Sequence, residues 1–247
     1  MTQKQPTTKT DTPDFIYVPS LDLYVGKNRI CYNRDWNDQQ QRLHSNNQRM
    51  PTLHEGAEFL LHLYSHLDNP EYIKIFDDMT GKRDPIRGEN FDAHFEKKEN
   101  NWYITYHEFN SSGKIKEVTE ELDDLSLMSH RTPGIYLGHY IKNHTHQGLP
   151  KRYAKIGSLY YWSPADGAVA RFRASSVWAG LGCGRDPDGS SAWLGVRAVV
   201  REIMPGQSDA KILRPTLEQV LNVLEGECIP KSALKTARSK LRPLYKE

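Results

Sequence analysis

A chain of 247 residues with a net charge of +2 is long enough for one large domain, or for one domain with an appendage. Hydrophobic residues make up 37% of it and charged residues 26%, and a mean hydropathy of −0.72 excludes the membrane-embedded class. The small net charge argues against bulk binding of nucleic acid.

The N-terminal segment and the cysteines bear on the compartment. Residues 1–13 are polar and have no apolar stretch behind their lysines, so we expect a disordered tail and no secretory signal. Cys31, Cys183 and Cys228 are odd in number and widely spaced. This pattern argues against a disulfide framework and a structural zinc site, and it favours a reducing compartment. We therefore expect a cytoplasmic or virion-associated protein that is not inserted in a membrane.

Two helices are predicted in the first third of the chain, after a strand within residues 15–25. Thr52 precedes five apolar residues whose spacing puts them on one helical face: Leu53, Ala57, Leu60, Leu61 and Tyr64. We expect the first four of these to pack inward. Pro70 suits the first turn of a second helix over residues 70–79, in which apolar residues again follow at helical spacing: Tyr72, Ile73 and Phe76.

From residue 90 onward the apolar residues alternate with polar ones, and this period of two predicts two antiparallel strands: Phe91, Ala93 and Phe95 in one, and Trp102, Ile104 and Tyr106 in the other. A turn over residues 111–113 leads to a further strand over 114–118. A short helix is predicted over 135–141, and short strands and turns over 157–200. The predicted fold class is α+β, a twisted antiparallel sheet with two flanking helices.

The C-terminal segment, residues 204–247, differs from the rest of the chain. Thr216 precedes four apolar residues at helical spacing, and Pro230 opens a second helical stretch that is basic. A solvated helix face is the favoured interpretation over a partner-binding or nucleic-acid-binding arm. We expect one domain over residues 14–203, followed by this helical, basic extension.

Residues 165–200 differ in composition from the rest of the chain, because they contain no Lys, Glu, Gln, Met, Asn, Ile, Thr, His or Tyr and are dominated by small residues. Two sets of residues alternate within this window, which puts them on opposite faces of strands. The predicted framework set is Ala174, Ser176, Ala179, Leu181 and Cys183. The predicted outward set is Arg173, Ser175, Val177, Gly180, Gly182 and Gly184.

From the residues alone, an ordinary pair of small-residue strands with a glycine-rich turn explains this window equally well. A glycine run can also cradle a phosphate group, but the chain has no GxxxxGK(S/T) motif, so we discard a nucleotide-binding loop.

Several motifs resemble those of the variable proteins of diversity-generating retroelements. Within the window they are Ala168-Val-Ala-Arg-Phe172, the spaced residues 174, 176, 179, 181 and 183, then Pro187, Ser190 and Leu194-Gly-Val-Arg197. Upstream motifs look like scaffold landmarks of a bacterial, archaeal and viral branch of that family: Met50-Pro-Thr52, Arg83-Asp-Pro85, Arg131-Thr-Pro-Gly134, Gln147-Gly-Leu-Pro150 and Gly157-Ser-Leu-Tyr-Tyr-Trp162. The resemblance covers residues 15–203.

The resemblance implies a C-type lectin fold that keeps its backbone while adenine-templated mutagenesis changes selected codons. Randomising the adenines of an AAY codon can give Gly, Arg, Ser, Val, Asp or Ala, but not Lys, Glu, Gln, Met or Trp. Residues missing from the window agree with this. Trp178 and Trp193 depart from it, so they come from other adenine-bearing codons or are fixed. The extension is another departure, because such variable regions usually lie close to the C-terminus.

The implied function is binding by a surface whose side chains change, without catalytic activity, cofactor or metal. Arginine and tryptophan beside small residues are hot-spot chemistry, and we expect the ligand to be a protein or another cell-surface molecule. Trp178 is equally well explained as a core residue. The candidate contact residues are Arg173, Ser175, Val177, Trp178, Gly180, Gly182, Gly184, Arg185, Asp186, Asp188 and Trp193.

Three alternatives stay open. An oxidase of the formylglycine-generating type shares the implied fold, but it needs two nearby cysteines, and Cys183 is better explained as a small buried hydrophobe. A calcium-dependent sugar lectin needs clustered oxygen ligands, for which Asp186 and Asp188 alone are thin support. A zinc site is the alternative to polar surface histidines at three positions: His139, His144 and His146.

Overall fold

Helices and strands both form from this chain, as the two apolar periods in the sequence predict. The computed structural model of the protein describes residues 9–129 and 131–202. The helices are α1 (Trp36–His44), α2 (Leu53–Ser65), α3 (Pro70–Thr80) and α4 (Leu137–Lys142). The strands are β1 (Phe15–Val18), β2 (Leu23–Gly26), β3 (Arg87–Lys98), β4 (Asn101–Phe109), β5 (Ile115–Glu121), β6 (Arg131–Ile135), β7 (Leu159–Trp162), β8 (Ala168–Ala174), β9 (Ala179–Arg185), β10 (Leu194–Gly195) and β11 (Val199–Val200).

Two parts of the predicted organisation lie outside the described residues, namely residues 1–8 of the tail and the basic extension over 204–247. None of the described helices has the length and apolar character needed to cross a membrane.

The strands form two sheets. The smaller has the order β1-β2-β11, and both of its pairings are antiparallel. The larger has the order β5-β4-β3-β8-β9-β7-β6, with β10 paired to β3. Its pairings are antiparallel except those of β7 with β9 and β10 with β3. The predicted α+β class is confirmed at this level, although the larger sheet is mixed and the described residues form four helices rather than two.

Helix α2 forms where the sequence predicts it, because its N-terminus is capped and one of its faces is apolar. The Thr52 hydroxyl accepts a hydrogen bond from the Glu55 amide, and the Glu55 carboxylate accepts one from the Thr52 amide. Leu61 is only half-buried and Tyr64 is 41% exposed, so the predicted inward position of Leu61 is right only in part. The fully buried apolar side chains of α2 are Leu53, Ala57, Phe59, Leu60 and Leu63.

Helix α1 is absent from the sequence prediction, because much of its buried side is polar. Asp35 caps its N-terminus through a hydrogen bond from an amide of the first turn. The Trp36 indole donates to the carbonyl of Phe91 at 2.8 Å. Gln39 and Gln40 are also buried, and both donate hydrogen bonds through their side-chain amides. Burial of this helix therefore depends on hydrogen bonds that apolar periodicity does not register.

Residues 165–200 are more regular than predicted, since β8 and β9 each run for seven residues and pair antiparallel. The run Leu194-Gly-Val-Arg197 then joins the two sheets. Its first two residues pair with β3 of the larger sheet. The buried Arg197 guanidinium places Nε 2.9 Å from a carboxylate oxygen of Glu89 in β3, and it donates to the carbonyl of Gly26 in β2 at 3.1 Å.

Candidate functional site

The predicted binding window folds around the β8–β9 hairpin, whose alternating side chains face the core or solvent. Ala174, Ala179, Leu181 and Cys183 are each exposed by 1% or less, so these four framework positions are placed as predicted. Ser176 is exposed, and its predicted framework position is wrong. The reason is that it lies in the turn between the paired residues Ala174 and Ala179, where strand alternation has ended.

Ser175 is buried rather than outward-facing, so its predicted position is also wrong. Its amide donates to the carbonyl of Trp178 at 2.8 Å. Its hydroxyl accepts from the amides of Val177 and Trp178, both at 3.4 Å. Ser175 thus closes the turn, while Val177 at the tip is 73% exposed and Trp178 is half-buried.

Six half-buried side chains beside this turn form a continuous surface, which we call the aromatic–arginine surface: Tyr160, Trp162, Arg173, Trp178, Arg185 and Trp193. Tyr160 and Trp162 stack with ring centroids 5.9 Å apart. Trp178 meets Trp162 edge-on at 5.5 Å and lies 6.1 Å from Tyr160. Aromatic pairs favour such offset and edge-on arrangements, so the three rings form a stable platform.

Two guanidinium groups extend this platform on either side. Arg173 lies between two indoles, 5.0 Å from the ring centroid of Trp178 and 5.4 Å from that of Trp193. Arg185 lies 5.1 Å from the centroid of Trp162. These distances fall within the range of cation–π attraction, about 6 Å. The surface therefore runs from Trp193 through Arg173, Trp178 and Trp162 to Arg185.

The charge of this surface is positive and unbalanced. In the part of the chain that the structure describes, Arg173 and Arg185 form no ion pair, and the Nε of each is buried without a hydrogen-bond partner. Burial, followed by the charges of Arg185 and Arg171, lowers the pKa of Arg173 to about 10. Burial also lowers the pKa of Arg185. Both groups stay protonated near neutral pH, so an anionic group of a ligand would supply the missing charge.

Gly180 and Gly182 lie beneath the surface and are buried, so they provide space rather than the contact groups that the sequence predicts. A Cβ at Gly180 would lie 2.5 Å from the carbonyl oxygen of Tyr160. A Cβ at Gly182 would lie 2.7 Å from the Nε of Arg185. Any larger residue at either position would displace the side chains above it.

The remaining candidates lie at the end of β9 and in the loop that follows. Gly184, Asp186 and Asp188 are exposed, as expected for residues that can reach a ligand. Arg171 fixes this loop by donating to the carbonyls of Asp186 and Gly189 at 2.7 and 2.8 Å. The carboxylate of Asp186 accepts a hydrogen bond from the amide of Asp188 at 3.0 Å, which closes a local turn.

Sequence reasoning misses Tyr160 and Trp162, because both lie upstream of the window with the unusual composition. They reach the surface through the parallel pairing of β7 with β9, in which Tyr160 lies opposite Gly180 and Trp162 opposite Gly182. The available signal is the alternation within β7. Tyr161 between them is fully buried, which leaves its two neighbours on the other face.

The residues of the alternative sites are dispersed. Cys183 is fully buried and burial raises the pKa of its thiol, whereas Cys228 lies outside the described residues. Asp186 and Asp188 belong to no group of three metal-ligand side chains among the described residues.

The three histidines of the alternative zinc site do not form such a group either, within the same residues. His146 is exposed and lies 3.3 Å from a carboxylate oxygen of Glu120. His144 instead meets His54, with 3.1 Å between their ring nitrogens.

Comparisons of this chain with models of protein families, with curated proteins and with solved structures give no match.

Proposed function

We propose that this chain is a ligand-binding protein with a C-type lectin fold, the variable protein of a diversity-generating retroelement. The aromatic–arginine surface carries the proposal, because four of its six members lie in the window whose composition matches adenine-templated change. The mixed α+β architecture, closed by the run Leu194-Gly-Val-Arg197, supports the fold that the resemblance implies.

The ligand that suits this surface is a protein that presents acidic and apolar side chains side by side. Tryptophan and arginine are the residue types that dominate binding hot spots. Carboxylates of the ligand would pair with Arg173 and Arg185, since the planar guanidinium group suits two-pronged hydrogen bonding. The faces of Trp162 and Trp178 would cover apolar groups between these pairs.

A display surface also needs a backbone that does not depend on the side chains it displays. Val177, Asp186 and Asp188 are exposed, so exchanging them leaves the core contacts in place. Leu181 and Leu194 are fully buried beneath the same segment and hold its strands in position. This separation of exposed and buried positions supports a surface that can vary without loss of the fold.

A randomised library tests the display function. We would randomise residues 173, 177, 178, 185 and 188 and select binders against several unrelated acidic proteins. We expect binders with melting temperatures close to that of the parent. The control is a library at the exposed positions 116, 117, 119 and 121 of β5, for which we expect no enrichment. Equal enrichment from both libraries, or binders from the control alone, would contradict the proposal.

The DNA around the gene tests the retroelement origin separately. We expect a reverse transcriptase gene and a near-copy of the segment that encodes residues 165–200, with differences concentrated at adenines. If the copy is absent, or if the differences are spread over all four bases, this part of the proposal is wrong. The library result then still decides the binding function.

A further inference from the structure

A second cluster of polar side chains shares no residue with the aromatic–arginine surface. His54 and Glu58 lie one turn apart on α2, so their side chains share a helix face. His144, in the loop after α4, places Nε2 3.1 Å from Nδ1 of His54 and 3.6 Å from a carboxylate oxygen of Glu58. One ligand atom from each residue lies within 4.8 Å of the other two. We propose that these three side chains bind a zinc ion.

The separations of the three atoms suit tetrahedral zinc. Ligand atoms bound at about 2.0–2.1 Å in a tetrahedron lie about 3.4 Å from one another. The measured 3.1 and 3.6 Å lie on either side of that value. Two imidazole nitrogens and one carboxylate oxygen are an established zinc ligand set that leaves a fourth position open. All three side chains are half-buried, so solvent water can fill that position.

The charge of the cluster also favours a cation. Among the described residues, Glu58 pairs with no lysine or arginine, and its ion-pair neighbour is His144. Burial, followed by His54, lowers the pKa of His144, against the opposing effect of Glu58. The imidazole is therefore neutral near neutral pH, which is the form that binds a metal ion. A zinc ion between these groups balances the carboxylate charge and replaces the close contact between two imidazoles.

The loop that carries His144 is fixed by contacts of its own. The hydroxyl of Tyr140 donates to the carbonyl of Gly148 at 2.9 Å, and its ring packs edge-on against that of His144 at 6.3 Å. Gly148 has a φ of +86°, and a Cβ there would lie 2.1 Å from the backbone nitrogen of His54. The loop thus touches the first turn of α2 beside one proposed ligand. Ligand positions that are set in advance lower the ordering cost of metal binding.

Calorimetric titration with zinc chloride tests the proposal on the full chain, after removal of any affinity tag and of bound metal. We expect one zinc ion per chain near neutral pH, and a tetrahedral absorption spectrum when cobalt(II) replaces zinc. His54→Ala, Glu58→Gln and His144→Ala should each weaken binding by more than about 100-fold, since loss of even an outer-shell partner costs about 10- to 100-fold. Zinc should also raise the melting temperature of the parent but not of Glu58→Gln, whose shape is nearly unchanged.

The matched control is His146→Ala, which removes a histidine two positions from His144 that is 64% exposed. We expect this variant to bind zinc as the parent does. The proposal is overturned if the parent binds no zinc, if binding survives His144→Ala and Glu58→Gln, or if His146→Ala or Cys228→Ser abolishes it.

Discussion

Leu181 and Leu194 lie fully buried within the window that carries the proposed binding surface, whereas Val177 is 73% exposed at the tip of the turn. We expect Leu181→Ala and Leu194→Ala each to lower the free energy of unfolding by about 2–5 kcal/mol, because each leaves a cavity in the core. Val177→Ala should change it by less than about 0.5 kcal/mol. Urea denaturation measures all three. A large loss for Val177→Ala beside stable leucine variants would mean that the two faces are assigned in reverse.

His62 gives the stability a dependence on pH. Burial, followed by His66, lowers the pKa of His62 from its usual 6.5. The unfolded chain therefore takes up this proton first as the pH falls, and stability is lost below about pH 6.5. We expect His62→Gln to lose less stability than the parent on acidification from neutral pH, as measured by urea midpoints. His146→Gln, which replaces an exposed histidine, should lose as much as the parent; equal losses in both variants would contradict the assignment.

The contact between α2 and the loop before β7 depends on the absence of a side chain at Gly148. A Cβ at this position would overlap the backbone of α2, 2.1 Å from the nitrogen of His54. Gly113, in the turn between β4 and β5, has a similar positive φ of +76° but open space around it. We expect Gly113→Ala to cost about 1–2 kcal/mol for the left-handed backbone alone. Gly148→Ala should cost clearly more, and equal losses in urea denaturation would show that the loop yields to α2.

Elements with a strong apolar period could be predicted from the sequence. Helix α2 has both a capping box and a one-sided apolar face, and β3 and β4 alternate cleanly. Helix α1 could not be predicted in this way, because its buried face includes Gln39 and Gln40. Strand β6 was not predicted either, since it contains Pro133 and Gly134, which usually mark turns.

The candidate site was predictable where it is local in sequence. Arg173, Trp178, Arg185 and Trp193 stand out because they lie in one window of unusual composition. Tyr160 and Trp162 join them through strand pairing, and His54 joins His144 across 90 positions of the chain. Contacts of that kind follow from topology, which periodicity and spacing in a single sequence do not specify.

The two sheets of the molecule are joined by one buried ion pair. Arg197 and Glu89 are 1% and 3% exposed, and their nearest charged atoms are 2.9 Å apart. The angle of this contact does not make a hydrogen bond, and neither oxygen of Glu89 accepts one from any described residue. The carboxylate is therefore balanced by charge alone. Because Arg197 also donates to the carbonyl of Gly26 in β2, the pair couples the smaller sheet to β3 of the larger one.

Breaking this pair should destabilise both sheets together. We expect Arg197→Met to lower the free energy of unfolding by about 3–5 kcal/mol, because it leaves the Glu89 charge buried and uncompensated. The double variant Arg197→Met/Glu89→Met should be clearly more stable than the sum of the two single losses, since apolar side chains of similar volume can replace a buried ion pair. Arg34→Met is the matched control, because its guanidinium is 44% exposed and pairs with Asp38 at 3.2 Å; it should cost less than about 1 kcal/mol. Urea unfolding followed by both tryptophan fluorescence and circular dichroism should show one coincident transition for every variant. Two separate transitions in Arg197→Met, or additive losses in the double variant, would show that the sheets are held together by other contacts.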